Sequence, residues 1–258
     1  MMEQNKLRVL FYTYPMIGQN YGGLQIQIEN TARCLQNLGC EVKFFNQWTD
    51  KVEDYDILHC FYLGDIGVAP LVKRAKEKGI GVVMSTVYNS ALDKKKEQLS
   101  YQLSRIHPSI CYVKYVQREI VKSVDRFVAL SDYEKEAVHT IFKIPNDKIS
   151  IIPNGISDMF HQEPKQENAF VDKTGLKDYV LHVGQFTRNK NQIAIIKALK
   201  DTNIPLVCIG QVVENDYYEE CKKLAGENIH FFEPVDNTNS QLLEMYWAAK
   251  AFVLPSYR

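Results

Sequence analysis

The sequence predicts an α/β protein made of two Rossmann-like domains whose parallel sheets face a cleft. Three observations predict it. Short apolar runs alternate with helical patterns along the whole 258-residue chain. The runs are almost continuously apolar, as strands covered on both faces are. The alternation is interrupted once, by a polar, non-periodic stretch that contains Pro164. The expected organisation is an amino-terminal domain over residues 1–155, a linker over 156–178 and a partial carboxyl-terminal domain over 179–258.

Taken in order, LRVLFYTY (7–14) is the first strand. A loop through Gly22 and Gly23 leads into a helix with Leu24, Ile28, Leu35 and Leu38 on one face, stopped by Gly39. EVKFFNQW (41–48) and DILHCFYL (56–63) are the next strands. A helix at about 68–78, basic on its outer face, precedes the strand GVVMSTVY (81–88). A long charged helical region covers about 94–124, followed by the strand RFVAL (126–130). Ser131, with Glu134 three residues on, forms a capping box that starts the next helix. KISIIPNG (148–155) closes the first half. In the second half the strands are YVLHVG (179–184), PLVCIG (205–210), NIHFFE (228–233) and AFVLP (251–255), with helices at 190–200, 215–225 and 239–249.

The bulk properties exclude more than they assign. Lys+Arg and Asp+Glu both number 31, so nothing in the charge calls for nucleic acid. The six cysteines form no C-x-x-C pair and read as reduced thiols of a cytosolic protein. The amino terminus has only a short apolar stretch before Pro15 and does not read as a signal peptide. No run approaches the roughly 18 apolar residues of a membrane span, so the protein is expected free in the cytosol or peripheral on the inner face of the membrane.

In open α/β sheets a ligand sits beyond the carboxyl ends of the strands. The residues just after each strand are therefore the candidates. In VGQFTRNKNQ (183–192) a strand ends in Gly184 and a short loop carries Arg188 and Lys190 to a helix start. Backbone N–H groups and two cations there suit a phosphate or diphosphate; a solvated charged loop is the plain alternative. In GQNYGGLQ (18–25), paired glycines open a helix and permit close approach of backbone to ligand, or simply form a flexible loop. IIPNGISDMF (151–160) ends a strand sharply, and an exit turn accounts for it. Neither a Walker lysine pattern nor G-x-G-x-x-G occurs.

Taken together, these stretches resemble glycosyltransferase family 4, retaining nucleotide-sugar enzymes with the GT-B fold. The resemblance rests on GGLQIQIENTARCLQNLGCEV (22–42), DILH (56–59), VDRFVALSDYEKEAV (124–138), KISIIPNGISDMF (148–160), YVLHVGQFTRNKNQ (179–192) and AAKAFVLPSYR (248–258). It implies a donor nucleotide sugar, a glycan or lipid-linked acceptor, and no cofactor or metal. In the family, the segment like FVLPSY leads into a loop with two glutamates eight apart that bind the donor. On that analogy roughly 100 further residues are expected beyond Arg258, domains being commonly 100–150 residues long.

The resemblance also assigns roles. Lys190 matches the family's diphosphate lysine, and Arg188 lies where a second cation could reach. Gly23, beside Gly22, matches a backbone contact to the phosphate. Gly184, Gln185, Asn154, Pro255 and Ser256 fall in donor-binding segments. There are two departures. Gln185 stands where the family often has Arg, which weakens stabilisation of the leaving group. Tyr88 stands near the place of a histidine that contacts the donor sugar, where it either binds the sugar or packs.

Other residues carry plainer readings. His59 at a strand end reads as structural, and Ser131 as a helix cap. Asp54 and Asp56 form a D-x-D pair but precede their strand, on the wrong edge for a metal site. The segment 93–126 holds eight basic residues with Tyr101, Tyr112 and Tyr115 interleaved, a pattern that fits either a peripheral membrane contact or a solvated helical face. Three functions stay open: a hexosyltransferase of polysaccharide or glycoconjugate assembly, a non-catalytic or partner-dependent nucleotide-binding protein, and a nucleotide-sugar epimerase of the same two-domain form.

Overall fold

The computed structural model describes residues 6–19, 22–88, 93–163, 167–236 and 239–257. The chain divides into two units, Met1–Asn154 and Gly155–Arg258.

The first unit contains, in order, β1 (Arg8–Tyr12), α1 (Gly23–Asn37), β2 (Glu41–Phe44), β3 (Ile57–Phe61), α2 (Ala69–Glu77), β4 (Gly81–Ser85), α3 (Lys94–Leu103), α4 (Tyr112–Ser123), β5 (Arg126–Ala129), α5 (Asp132–Phe142) and β6 (Ile149–Ile151). Among the described residues the strands form one parallel sheet in the order β2-β1-β3-β4-β5-β6. Side chains alternate across it, as a pleat requires. Leu10, Leu58, Cys60, Val82, Met84 and Phe127 join the main core with residues of α2, α4 and α5. Val9, Phe11 and Phe61 meet Ile28 and Ala32 of α1 on the other side. The edge strand β2 is mostly exposed and carries Glu41 and Lys43, which blunts it against further pairing.

The second unit contains α6 (Ala169–Thr174), β7 (Tyr179–Val183), α7 (Gln192–Leu199), β8 (Leu206–Ile209), α8 (Asn215–Leu224), β9 (Ile229–Phe232), α9 (Ser240–Ala248) and β10 (Ala249–Phe252). Its parallel sheet runs β10-β7-β8-β9. The apolar run of β8 is buried at every position, with Leu206 and Cys208 facing one core and Val207 and Ile209 the other. Among the described residues no helix is long and apolar enough to cross a membrane.

The structure departs from the sequence reading in three places. Leu38, expected on the buried face of α1, is 81% exposed, because α1 ends at Asn37 and the chain turns through Gly39 at φ +91°. The helical region 94–124 is two helices, broken where His107 precedes Pro108 and takes extended backbone angles. The stretch 156–178, expected as a linker, holds a 3-10 turn (Asp158–His161) and α6. Asn168 caps α6, Gly175 ends it at φ +71°, and Phe170 is buried against Tyr179 and Phe232. Two capping residues and one aromatic suffice for a six-residue helix too short to show a period.

Phe170→Ala is expected to destabilise the second unit by about 3–5 kcal/mol, whereas Leu38→Ala shifts stability by at most about 0.5 kcal/mol. Denaturant unfolding checks both. Parental unfolding of the Phe170 variant would make α6 a passive tether.

Candidate functional site

Each sheet has one place where strand order reverses, and there the loops at the carboxyl ends splay apart. In the first unit the reversal lies between β1 and β3, and in the second between β7 and β10.

At the first reversal, Tyr14 follows β1, Tyr62 follows β3, Val87 follows β4 and Leu24 comes from the first turn of α1. These four line a crevice of about 380 Å³. Two of them hold backbone angles that favour glycine, Tyr62 at φ +75° and Val87 at φ +41°. Such conformations cost about 1–3 kcal/mol each and persist only where neighbours enforce them. For Tyr62 the enforcement is local. Its N–H donates to Ser85 O at 2.9 Å, and its ring occupies the space where a Cβ on Gly64 would lie, 2.3 Å from the nearest ring atom.

For Val87 the enforcement is Glu134. This side chain is 5% exposed, and its carboxylate accepts from Thr86 Oγ1 (2.5 Å), Tyr88 N (2.6 Å) and Leu130 N (2.7 Å). The capping-box reading was half of the truth. Ser131 Oγ does accept from Glu134 N at 3.2 Å, but the glutamate side chain turns away from the cap to gather the ends of β4 and β5. Sequence reasoning missed this role because nothing in the S-x-x-E spacing tells which backbone the glutamate serves.

Tyr88 follows directly. Its hydroxyl donates to Glu97 Oε2 at 3.0 Å, its ring meets Phe142 edge-on at 5.2 Å, and Lys114 Nζ lies 2.5 Å from the same Glu97 oxygen. Gly22 is the N-cap of α1 with extended angles, and a Cβ on Gly23 would meet nothing within 4 Å. Among the described residues, no crowding therefore demands glycine at position 23. Asn20 and Tyr21 of the same motif lie outside the described residues. Asn154 is exposed beyond edge strand β6, three strands from β3, so the first unit does not bring it to this crevice.

His59 is part of the sheet. Its ring stacks on Phe61 at 4.3 Å, meets Phe11 at 5.1 Å and pairs with Ser85 Oγ through Nε2 at 2.9 Å. Burial lowers it to about 4. Asp54 and Asp56 lie at the amino edge of β3, where Asp56 accepts from the Arg8 backbone (2.8 Å) and guanidinium (3.2 Å).

At the second reversal the structure gathers most of the carboxyl-terminal candidates. The Lys190 stem lies beside Gly184, where a Cβ would sit 3.8 Å from Lys190 Cδ. Asn191, at φ +55°, donates to Pro255 O at 3.3 Å, and Tyr257 N donates to Asn189 O at 2.8 Å. Gln185 is exposed, while its carbonyl accepts from Gln192 at 2.9 Å. Gly210, which carried no assigned role in the sequence reading, lets the β7 and β8 loops touch: a Cβ there would lie 2.0 Å from Gly184 O. Among the described residues Lys190 has no ion-pair partner.

Two expectations change here. Arg188 does not stand free beside Lys190. Its guanidinium pairs with Glu220 (3.2 Å) and Glu214 (3.9 Å) and lies over the Tyr217 ring (5.4 Å). The start of α7 is not an open row of donors either, because Ile193 N already donates to Tyr217 OH at 3.2 Å. His182 is fully buried in β7, with Nδ1 donating to Val253 O at 3.0 Å. Its pKa is lowered, first by burial and further by the Lys190 charge, so the ring is neutral with an unprotonated Nε2.

Buried side-chain polar atoms without a partner concentrate at these two reversals. Among the described residues they are Thr13 Oγ1, Gln25 Oε1, Asp65 Oδ2 and Gln117 Oε1 in the first unit, and His182 Nε2, Gln192 Oε1 and Ser256 Oγ in the second. Thr13 follows β1, Gln25 is in the first turn of α1, Asp65 lies beyond β3, and Gln117 donates to Leu63 O just after β3. The other three belong to β7, the start of α7 and the loop after β10. An unpartnered buried polar atom costs about 1–3 kcal/mol, and native proteins tolerate few outside functional sites.

Comparisons with known proteins bear on the family and the fold. A family model described as Glycosyltransferase Family 4 matches residues 46–159, and one described as Glycosyl transferases group 1 matches 164–258. No curated protein matches the sequence. In structure the chain is similar to Anabaena Alr3699/HepE in complex with UDP, with a TM-score of 0.69 and 12% identity over 98% of this chain and 74% of that one. The same protein is also solved with UDP and glucose. A glycosyltransferase from Rickettsia africae gives 0.57 at 15% identity, over 98% and 73% of the two chains. AviGT4, a glycosyltransferase involved in avilamycin A biosynthesis, gives 0.53 at 16%, over 97% and 70%.

Two predictions follow from the geometry. Glu134→Ala strands three donors and is expected to destabilise the first unit by about 3 kcal/mol in denaturant unfolding, with Glu134→Gln milder because one oxygen remains. For His59, held near 4 against 6.5 when unfolded, the unfolded chain binds a proton that the folded chain refuses between those values. The neutral ring's contribution, about 3 kcal/mol, is complete above pH 6.5 and is lost as pH falls toward 4. NMR titration should place the His59 midpoint below pH 5; a midpoint near 6.5 would refute the burial argument.

Proposed function

Since the chain belongs to the family-4-type glycosyltransferases of GT-B fold, we propose that it transfers a hexose from a nucleoside-diphosphate sugar to a glycan or lipid-linked acceptor with retention of configuration. The observation that carries the reading is Lys190: an amine with no ion-pair partner among the described residues, its stem beside Gly184, at the strand-order reversal where His182, Gln192 and Ser256 hold unpartnered polar atoms. In such a transfer the bond from the anomeric carbon to the diphosphate breaks, the acceptor hydroxyl oxygen bonds to the same face, and its proton passes to the departing diphosphate. The chemistry needed is stabilisation of the departing negative charge and placement of the acceptor. Lys190 supplies the charge, and the Gly184–Gln185 backbone and Ser256 supply polar contacts beside it. A neutral His182 suits the place, because a second full cation there would repel the lysine that binds the diphosphate.

In the first unit, Gly22 and Gly23 allow a phosphate to approach the start of α1. Tyr88 is given a positioning role in this reading, since its hydroxyl is already engaged by Glu97. The leaving group's charge is assigned to Lys190 rather than to a metal. The neighbour solved with UDP and glucose makes a uridine nucleotide sugar the first donor to test.

A second reading, nucleotide binding without turnover, is favoured by one observation. Arg188 is held by Glu214 and Glu220, and position 185 is an uncharged glutamine, so among the described residues of the 184–192 loop Lys190 alone is a cation without an ion pair. One experiment separates the two. UDP-, GDP- and ADP-sugars are screened for binding by calorimetry and for hydrolysis or transfer, with the parent protein, Lys190→Ala and added EDTA. The transferase reading expects donor turnover that EDTA leaves unchanged and that Lys190→Ala lowers about 10²–10³-fold. Binding without turnover establishes the second reading, and parental turnover by the Lys190 variant overturns the assignment of the site.

A further inference from the structure

The helical corner between α3 and α4 displays an apolar surface that the proposed reaction does not use. Leu99 (56% exposed) and Leu103 (39%) lie on the outer side of α3, Ile106 (72%) and Ile110 (53%) in the connection, and Tyr112 (63%) and Val113 (47%) in the first turn of α4. The inner side of the same helices is conventionally filled by Tyr101, Ser104, Gln117 and Ile120. A soluble helix pair normally turns such residues inward, and a cluster of exposed large apolar side chains marks an interaction surface.

The charges around it choose the partner. Lys95, Lys96 and Arg105 are exposed on the same helix and its end. Glu97 is turned inward, where Lys114 and Tyr88 engage it with both side chains of the ion pair about nine-tenths buried (11% and 12% exposed). Over residues 93–113 this leaves Asp93 as the exposed carboxylate against three exposed cations. The structure also changes the reading of the basic segment as a charged helical face. Lys114 is spent on Glu97, Arg118 stacks on Tyr101 at 4.1 Å and bonds its carbonyl, and Lys122 pairs with Glu119 at 2.7 Å. What faces outward is an apolar centre with a cationic collar.

We propose that this corner is a docking surface for an anionic lipid bilayer, with Ile106, Ile110 and Tyr112 entering the headgroup boundary and Lys95, Lys96 and Arg105 meeting lipid phosphates. Apolar insertion supported by adjacent cations is how a peripheral segment holds a negatively charged membrane. The surface lies within the first unit and does not depend on the transfer reading.

The test uses the full chain in vesicle flotation, with phosphatidylcholine alone and mixed with phosphatidylglycerol. The parent is expected to bind the mixed vesicles at least tenfold more tightly, and added salt should weaken the binding. Ile106→Glu/Ile110→Glu and, separately, Lys95→Glu/Lys96→Glu/Arg105→Glu should each lower binding at least tenfold while keeping parental melting curves. Trp48→Glu, at an 86% exposed residue outside the corner, should bind as the parent does. The proposal is overturned if the parent ignores both vesicle types, if the corner variants bind unchanged, or if Trp48→Glu alone abolishes binding. It is equally overturned if the parent self-associates without lipid and the isoleucine variant restores a monomer, since the corner then pairs with a second copy. No nucleotide is present in this assay, so its outcome is independent of turnover.

Discussion

A single buried carboxylate organises the carboxyl edge of the first sheet. Glu134 draws a hydroxyl from Thr86 and N–H groups from Tyr88 and Leu130 onto two oxygens. Three donors converge because the chain on either side of Val87 must turn back while Val87 itself stays at φ +41°. A β-branched residue adopts that angle only under constraint. The consequence runs outward from there: Val87 is held in the crevice wall, Tyr88 is aimed between α3 and α5, and α3 is tied to the sheet through Glu97. The strain is spent on placing side chains at the strand-order reversal, where open α/β sheets offer a crevice to a ligand.

The second unit meets the same demand by different means. There the devices are glycines and loop-to-loop backbone bonds. Gly210 admits the Gly184 carbonyl, Asn191 reaches Pro255 and Tyr257 reaches Asn189. The result is a set of strand-end loops held together largely by main chain, with the Lys190 stem beside Gly184. Electrostatically this is an economical site. Burial, with the Lys190 charge adding to it, keeps His182 neutral, and Arg188 is balanced by Glu214 at the N-cap of α8 and Glu220 within it. In the proposed reaction a departing diphosphate would therefore depend on one ammonium and on backbone dipoles.

Much of the fold was legible because parallel strands buried on both faces write themselves as continuous apolar runs. Each run expected from the sequence overlaps an observed strand, though several strands are shorter, β2 stopping at Phe44 where an Asn46–Asp50 turn begins, and β10 starts at Ala249, two residues ahead of its run. The position of the candidate residues beyond strand ends was legible for the same reason. What could not be read were matters of side-chain direction and distant pairing. Arg188 finds Glu214 and Glu220, 26 and 32 residues later, on a helix whose acidic residues look like an ordinary solvated face. The cations of α4 looked exposed by composition, yet Lys114 and Arg118 face inward because Glu97 and the Tyr101 ring lie opposite. A charge run records how many ions a helix carries, not which of them its neighbours neutralise.

Glu97 Oε2 is the acceptor for both the Tyr88 hydroxyl and the Lys114 ammonium. Two donors from separate elements thus share one atom of a third. Rotation of α3 about its own axis would strip both bonds at once, whereas a rigid displacement of α3 and α4 together preserves the salt link and pulls on the tyrosine alone. One carboxylate oxygen thus links the helix pair that carries the apolar corner to the residue that follows the strained turn at Val87.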